Sequence, residues 1–193
     1  MRTSALRTLT GAALALGLAL AAPFSTTATA SPATASVTSV TATTATTTAP
    51  EATVGAMVTK LTHAQATSML RNAGITWSSS GNCSDRYNST CTSFEQVNED
   101  TILGAITLRQ ASGCALNITG GTETGHASGT YSHWNGYKLD FSLYSCLGNY
   151  ITSRFTYIGL RGDGAPQYQS ASGNIYARES NHWDVLYYNC GGC

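Results

Sequence analysis

Apolar and polar positions divide the chain into three stretches. In the first, Arg2 and Arg7 precede an apolar run from Leu9 to Phe24, and the small residues Ala28, Thr29 and Ala30 follow. A basic start, a short apolar run and a small-residue end predict a secretory signal cleaved near Ala30. Pro23 interrupts the run and polar rather than basic residues follow it, so no membrane span is expected after processing. From 31 to 52 the chain is almost entirely Thr, Ala, Ser and Val. So little apolar volume does not repay the entropy of ordering, which predicts a linker or propeptide. Residues 53–193, about 140 positions, have the size of one domain.

Within that domain, Thr62, His63, Ala64 and Gln65 fit a capping box, Ala64 to Leu70 are mostly helix formers, and Gly74 can end the helix. His63, in the first turn, reads as a solvated surface residue without a role. A second helix is expected over Ser93 to about Gln110, where Phe94, Val97, Ile102, Leu103 and Ile106 form an apolar stripe that belongs to the core. Beyond Ala115 the pattern changes. Leu116 to Thr119 reads as a strand, Gly120, Gly121, Gly125 and Gly129 break the chain into loops, and Gly136 to Leu143 is again extended. Ile151 to Leu160 predicts a third helix, and Gly173 to Tyr188 alternates like a terminal hairpin. This order predicts an α+β domain: a small, mainly antiparallel sheet with flanking helices.

Charge and cysteine content narrow the setting. Without Arg2 and Arg7, eight basic residues remain against ten acidic ones, 8 − 10 = −2, which points to no nucleic-acid partner. Charged residues are scarce, so each one is informative. All six cysteines follow the signal, and an even number in an exported chain predicts disulfides. Proximity in sequence suggests Cys83–Cys91 and Cys190–Cys193, which leaves Cys114–Cys146. A zinc knot on Cys190 and Cys193 is the competing reading, but it lacks a second ligand pair. The expected product is a secreted monomer.

The chemistry concentrates in two segments, 120–141 and 178–188. His133 and Asp140 are separated by six residues, with Gly136 between them to permit a tight turn. Both side chains can then converge on one ion, although an ordinary histidine–aspartate hydrogen bond would use the same pair. His182 offers a third zinc ligand, leaving one position for water, and Glu179 is near enough in sequence to act as the base. Asp184 lies two residues past His182, so on a strand it shares that face and can orient a ligand. His126 either stabilises the developing oxyanion or is a plain loop histidine. Glu123 reads as a free surface glutamate. Trp134, Tyr137 and Trp183 flank the ligands, with core packing as the default and a peptide or glycan contact as the alternative.

Ser132, His133, Gly136 and Asp140, followed by Glu179, His182 and Trp183, resemble the signature of the D-alanyl-D-alanine metallopeptidase family. That family includes carboxypeptidases, dipeptidases and phage endolysins, and shares its fold with the hedgehog signalling domain. The resemblance covers about Ala115 to Tyr188. It implies the hedgehog and D-alanyl-D-alanine peptidase zinc fold, Zn2+ on His133, Asp140 and His182, and Glu179 as general base and acid. The implied substrate is a peptidoglycan stem or cross-bridge peptide. Family peptidases usually carry an arginine shortly before the first ligand motif, whereas Gly120 to His126 has none. Arg86, Arg109, Arg154, Arg161 and Arg178 are the remaining candidates for a substrate anchor, and carboxypeptidase and endopeptidase action both stay open. Glu179 favours an enzyme over the alternative, a zinc-containing secreted binding or signalling module.

Overall fold

The computed structural model describes residues 58–188. The expected signal, the linker, the first residues of the domain and the Cys190–Cys193 pair lie outside them. The chain opens with β1 (Lys60–Leu61) and α1 (His63–Asn72). The capping box forms as expected: the Gln65 amide donates to Thr62 Oγ1 and the Thr62 amide to Gln65 Oε1. Ala66, Thr67 and Leu70 are the buried positions of α1, and Gly74, at φ +67°, takes the left-handed turn past its end.

The next elements are β2 (Thr76–Trp77), β3 (Val97–Asn98) and α2 (Glu99–Ser112). The second helix therefore starts six residues later than expected. The Ser93 and Phe94 amides are taken by side chains, Glu123 Oε2 at 2.8 Å and His63 Nδ1 at 3.1 Å. Gln96 is left-handed at φ +66°, and Val97–Asn98 pairs with β1. Phe94 and Val97 still reach the core, but from extended chain. Glu99 and Asp100 then occupy the first turn of α2, where the helix dipole favours acids.

Strands β4 (Asn117–Gly120) and β5 (Lys138–Ser142) follow the expected extended segments, with α3 (Ser145–Arg154) and β6 (Thr156–Leu160) after them. The helix expected over Ile151 to Leu160 is thus corrected. It lies earlier, and its predicted second half is a strand, because Thr156, Tyr157 and Ile158 suit extended chain and Gly159 sits at φ +110° beside a bulge. Strands β7 (Pro166–Gln169), β8 (Ile175–Arg178) and β9 (His182–Leu186) are the last elements among the described residues, with β8 and β9 forming the expected hairpin.

Seven strands form one sheet in the order β2-β4-β5-β9-β8-β7-β6, antiparallel except for β2 with β4. The architecture is α+β with a mainly antiparallel sheet and few helices. From the sheet, Ile118, Leu139, Phe141, Trp183 and Val185 join Leu70, Ile102, Ala105, Leu147 and Ile151 from the three helices in one core. Gly104 lets α2 approach closely, since a Cβ there would lie 2.3 Å from the Tyr187 ring. Disulfides link Cys83 to Cys91 and Cys114 to Cys146, the pairings read from the sequence, and they fit an oxidising environment. Among the described residues no helix is long and apolar enough to cross a membrane.

Candidate metal centre

Alternation along β5 and β9 builds the site. Because Leu139, Phe141, Trp183 and Val185 face the core, Lys138, Asp140, His182 and Asp184 must face the other way. The register sets Asp140 directly across from Asp184 and Ser142 across from His182. On the far side of β5, Gly120 is the partner of Asp140, and a Cβ at Gly120 would stand 2.4 Å from Asp140 Oδ2. A side chain there would fill the space this carboxylate uses.

Two tight segments deliver His133. Gly136, at φ +79°, donates its amide to the His133 carbonyl at 2.8 Å, and its own carbonyl accepts from Asn98 N and Thr101 Oγ1. This is the turn that the glycine spacing predicts. Upstream, Thr122 donates its amide to the Ser93 carbonyl and its hydroxyl to the Glu95 carbonyl, and Arg86 Nε donates to the Thr122 carbonyl. The start of the glycine-rich loop is therefore anchored.

Three imidazoles converge on Asp140. His133 Nε2 lies 3.2 Å and His182 Nε2 3.3 Å from Asp140 Oδ1, and His126 Nδ1 lies 3.8 Å from Asp140 Oδ2. In each ring the other nitrogen donates to a protein oxygen: His133 Nδ1 to the Gly121 carbonyl at 2.7 Å, His182 Nδ1 to Asn181 Oδ1 at 2.8 Å, and His126 Nε2 to Glu123 Oε1 at 3.0 Å. Fixing the far nitrogen in this way leaves the near nitrogen to present its lone pair to an ion or, where no ion is bound, to hold a second proton. The potential ligand atoms of His126, His133 and Asp140 all lie within 4.8 Å of one another, and this group could hold a metal ion.

The electrostatics fit a cation. Asp140 Oδ1 and Asp184 Oδ1 are buried with no donor beside them other than the imidazoles: His133 Nε2 is 3.2 Å from the first and 3.6 Å from the second, and His182 Nε2 is 3.3 Å from the first. Buried carboxylate oxygens are costly unless bonded, and a bound cation removes that cost. Burial alone would lower the His133 pKa, but Asp140 and Asp184 outweigh it and raise it to about 10. A proton and a metal ion thus compete for Nε2. Burial would likewise raise the pKa of Asp184, but His133 and Lys138 hold it below the usual carboxylate range.

The other residues singled out from the sequence divide clearly. Glu179 is part-exposed at the cleft edge, with Oε2 3.5 Å from His182 Nε2 and Oε1 bonded to Arg161. Asp184 sits beside His133 and accepts from Lys138 Nζ and Arg161 Nη1, each at 2.7 Å. Trp183 is in the core, Trp134 is exposed beneath the stacked Arg86 guanidinium at 3.8 Å, and Tyr137 packs edge-on against Tyr131. Two expectations are corrected. Glu123 is buried, 3% exposed, accepting from the Ser93 and Gly121 amides and from His126, which together hold its pKa down against burial. His63 is half-buried, stacked on Phe94 and accepting its amide, and burial lowers its pKa.

A cleft of about 570 Å3 opens over the cluster, bordered by His126, His133, His182, Glu179, Lys138 and Arg161. Of the five candidate arginines, Arg161 is the one that lines it. It arrives from the β6–β7 turn and is paired with Asp163, Asp184 and Glu179. No motif marked it, because a lone arginine before Gly-Asp-Gly looks like any polar turn. Comparisons with known families, with curated proteins and with solved structures found no match to this chain.

Proposed function

We propose that this protein is a secreted zinc-dependent peptidase acting on bacterial cell-wall peptides, with Zn2+ held by His133, Asp140 and His182 and with Glu179 as general base. The reading includes the hedgehog and D-alanyl-D-alanine peptidase type of fold. The observation that carries it is the set of imidazoles, each tied at its far nitrogen and turned toward Asp140 with its near one. Zinc suits two imidazoles and one carboxylate, and once bound supplies Lewis acidity that polarises a peptide carbonyl and acidifies water.

The protein's own groups supply the rest. Glu179 borders the cleft beside His182, where it can take a proton from the attacking water and return it to the leaving amine. Its Oε1 is held by Arg161, which directs Oε2 toward the ligands. Lys138 and Arg161 hold Asp184 against His133. Because both cations already pair with carboxylates, the cleft favours an internal peptide bond over recognition of a free C-terminal carboxylate.

The deciding experiment digests purified peptidoglycan with wild type, Glu179→Ala and chelator-treated protein, with zinc measured in each. Fragments released by wild type alone, with zinc retained by Glu179→Ala, support the peptidase, and their masses name the bond. Zinc without cleavage favours a zinc-containing binding or signalling module, a reading that the Arg161 contact on Glu179 also fits. Absence of zinc throughout overturns both.

A further inference from the structure

Building on the metal reading above, we propose that His126 is a fourth protein ligand, so that the resting centre is closed by His126, His133, Asp140 and His182 and opens for substrate when His126 leaves. A centre with four protein ligands has no place for water, whereas a catalytic centre keeps one. His126 is therefore a gate on the same ion.

The geometry that points to this starts with Glu123. A carboxylate buried among backbone is costly unless fully bonded, and here the Ser93 amide at 2.8 Å and the Gly121 amide at 3.0 Å hold it in place. What it then presents to the cleft is an acceptor for one imidazole N–H, and His126 Nε2 takes it at 3.0 Å. The His126 Nδ1 lone pair is left facing Asp140. The His126 ring stacks on His133 with centroids 3.9 Å apart and planes 16° from parallel, so their lone pairs run side by side, and His126 has to turn on its Glu123 bond to bring Nδ1 onto an ion shared with His133; the ligand atoms of His126, His133 and Asp140 already lie within 4.8 Å of one another. This is the carboxylate–histidine arrangement that orients metal ligands elsewhere.

The same residue is the most exchangeable member of the set. Its side chain is 24% exposed, against 6% for His133 and 20% for His182, so it is the loop position rather than exposure that sets it apart from His182. His133 lies within the turn closed by Gly136 and His182 lies on a strand, whereas His126 stands in a loop between Gly125 at φ +107° and Gly129 at φ +152°. It borders both the main cleft and a neighbouring cavity of about 260 Å3 lined by Ser128, Ser132, Trp134 and Asn135. A substrate carbonyl entering the cleft would take the position of Nδ1, with Glu123 retaining the ring by its Nε2–H.

The test uses the full chain loaded with cobalt(II), whose visible absorption reports ligand number, alongside zinc affinity from chelator competition. Wild type, His126→Ala, His126→Gln and Glu123→Gln are compared. His126→Gln keeps a donor for Glu123 but removes the ligand nitrogen, so it separates lost ligation from lost folding. The expected result is zinc affinity reduced about 10- to 100-fold in Glu123→Gln and at least as much in both His126 variants. The wild-type spectrum should stay flat between about pH 6 and 9, because a centre closed by four protein ligands would hold no water to lose a proton. The His126 variants should acquire a pH-dependent spectrum as water enters, and added imidazole should restore the wild-type form in His126→Ala. Equal affinity and unchanged spectra in the His126 variants overturn the gate while leaving the metal reading intact. Failure of wild type to bind cobalt or zinc overturns both.

Discussion

Strands β5 and β9 carry opposite chemistry on their two faces. On one, Leu139, Phe141, Trp183 and Val185 are each at most 2% exposed and packed among helices. On the other, Asp140, Asp184 and Lys138 stand next to the histidines, with two buried carboxylate oxygens that only the imidazoles approach. The first face stabilises the fold through hydrocarbon burial, about 25 cal/mol per Å2. The second desolvates two carboxylates, a cost that Lys138 and Arg161 offset at Asp184 and that a proton or a cation among the histidines offsets at Asp140. One pair of strands thus holds a stabilising surface and a functional one, and each is measurable separately.

The largest expected effect is on the apolar face. Trp183→Ala should lower unfolding free energy by about 3–5 kcal/mol in a urea titration; a loss below about 1 kcal/mol would break the contrast. Next comes the ion: zinc at one hundred times its Kd should stabilise wild type by about 2.7 kcal/mol, read as a shift in thermal midpoint, and His133→Ala should abolish the shift.

The pH dependence sharpens the comparison. The folded pKa of His133 is raised to about 10, so metal-free protein should hold that contribution below about pH 6.5 and lose it as pH rises through about 10. The folded pKa of Asp184 is depressed, so its contribution is present above about pH 3.9 and fades as pH falls below it. Denaturation of chelator-treated protein across pH should follow both limits, while zinc should suppress the alkaline loss by occupying the site of the proton.

Smaller effects lie at the edges. Gly120→Ala should cost about 1–3 kcal/mol and weaken zinc binding, because its Cβ meets Asp140 Oδ2. Thr62→Ala, remote from both faces, should cost about 1 kcal/mol through its lost cap and leave zinc affinity unchanged.

Local chemistry was legible where a few neighbouring residues decide the outcome. Thr62 and Gln65 cap each other, Gly136 turns the chain between His133 and Asp140, and the β8–β9 hairpin follows its alternation. The segment from Ser93 to Asn98 was misread because its apolar spacing suits a helix equally well. Its amides are claimed by Glu123 and His63, some thirty residues away along the chain. The stretch from Ile151 to Leu160 was misread because one apolar run serves the end of α3 and the start of β6.

By itself the sequence determined the α+β class, the presence of disulfides with Cys83 and Cys91 as near neighbours, and the concentration of His126, His133, Asp140, Glu179 and His182 in two segments. These depend on residue type and short spacing, which chain geometry translates directly. Only the tertiary structure decided that Glu123 is buried and bonded to His126, that Arg161 reaches Asp184 and Glu179 from another turn, and that three imidazoles surround one carboxylate. Those facts depend on which strands pair and in what register. Pairing is set by the burial of the whole core, and no local stretch of sequence contains it.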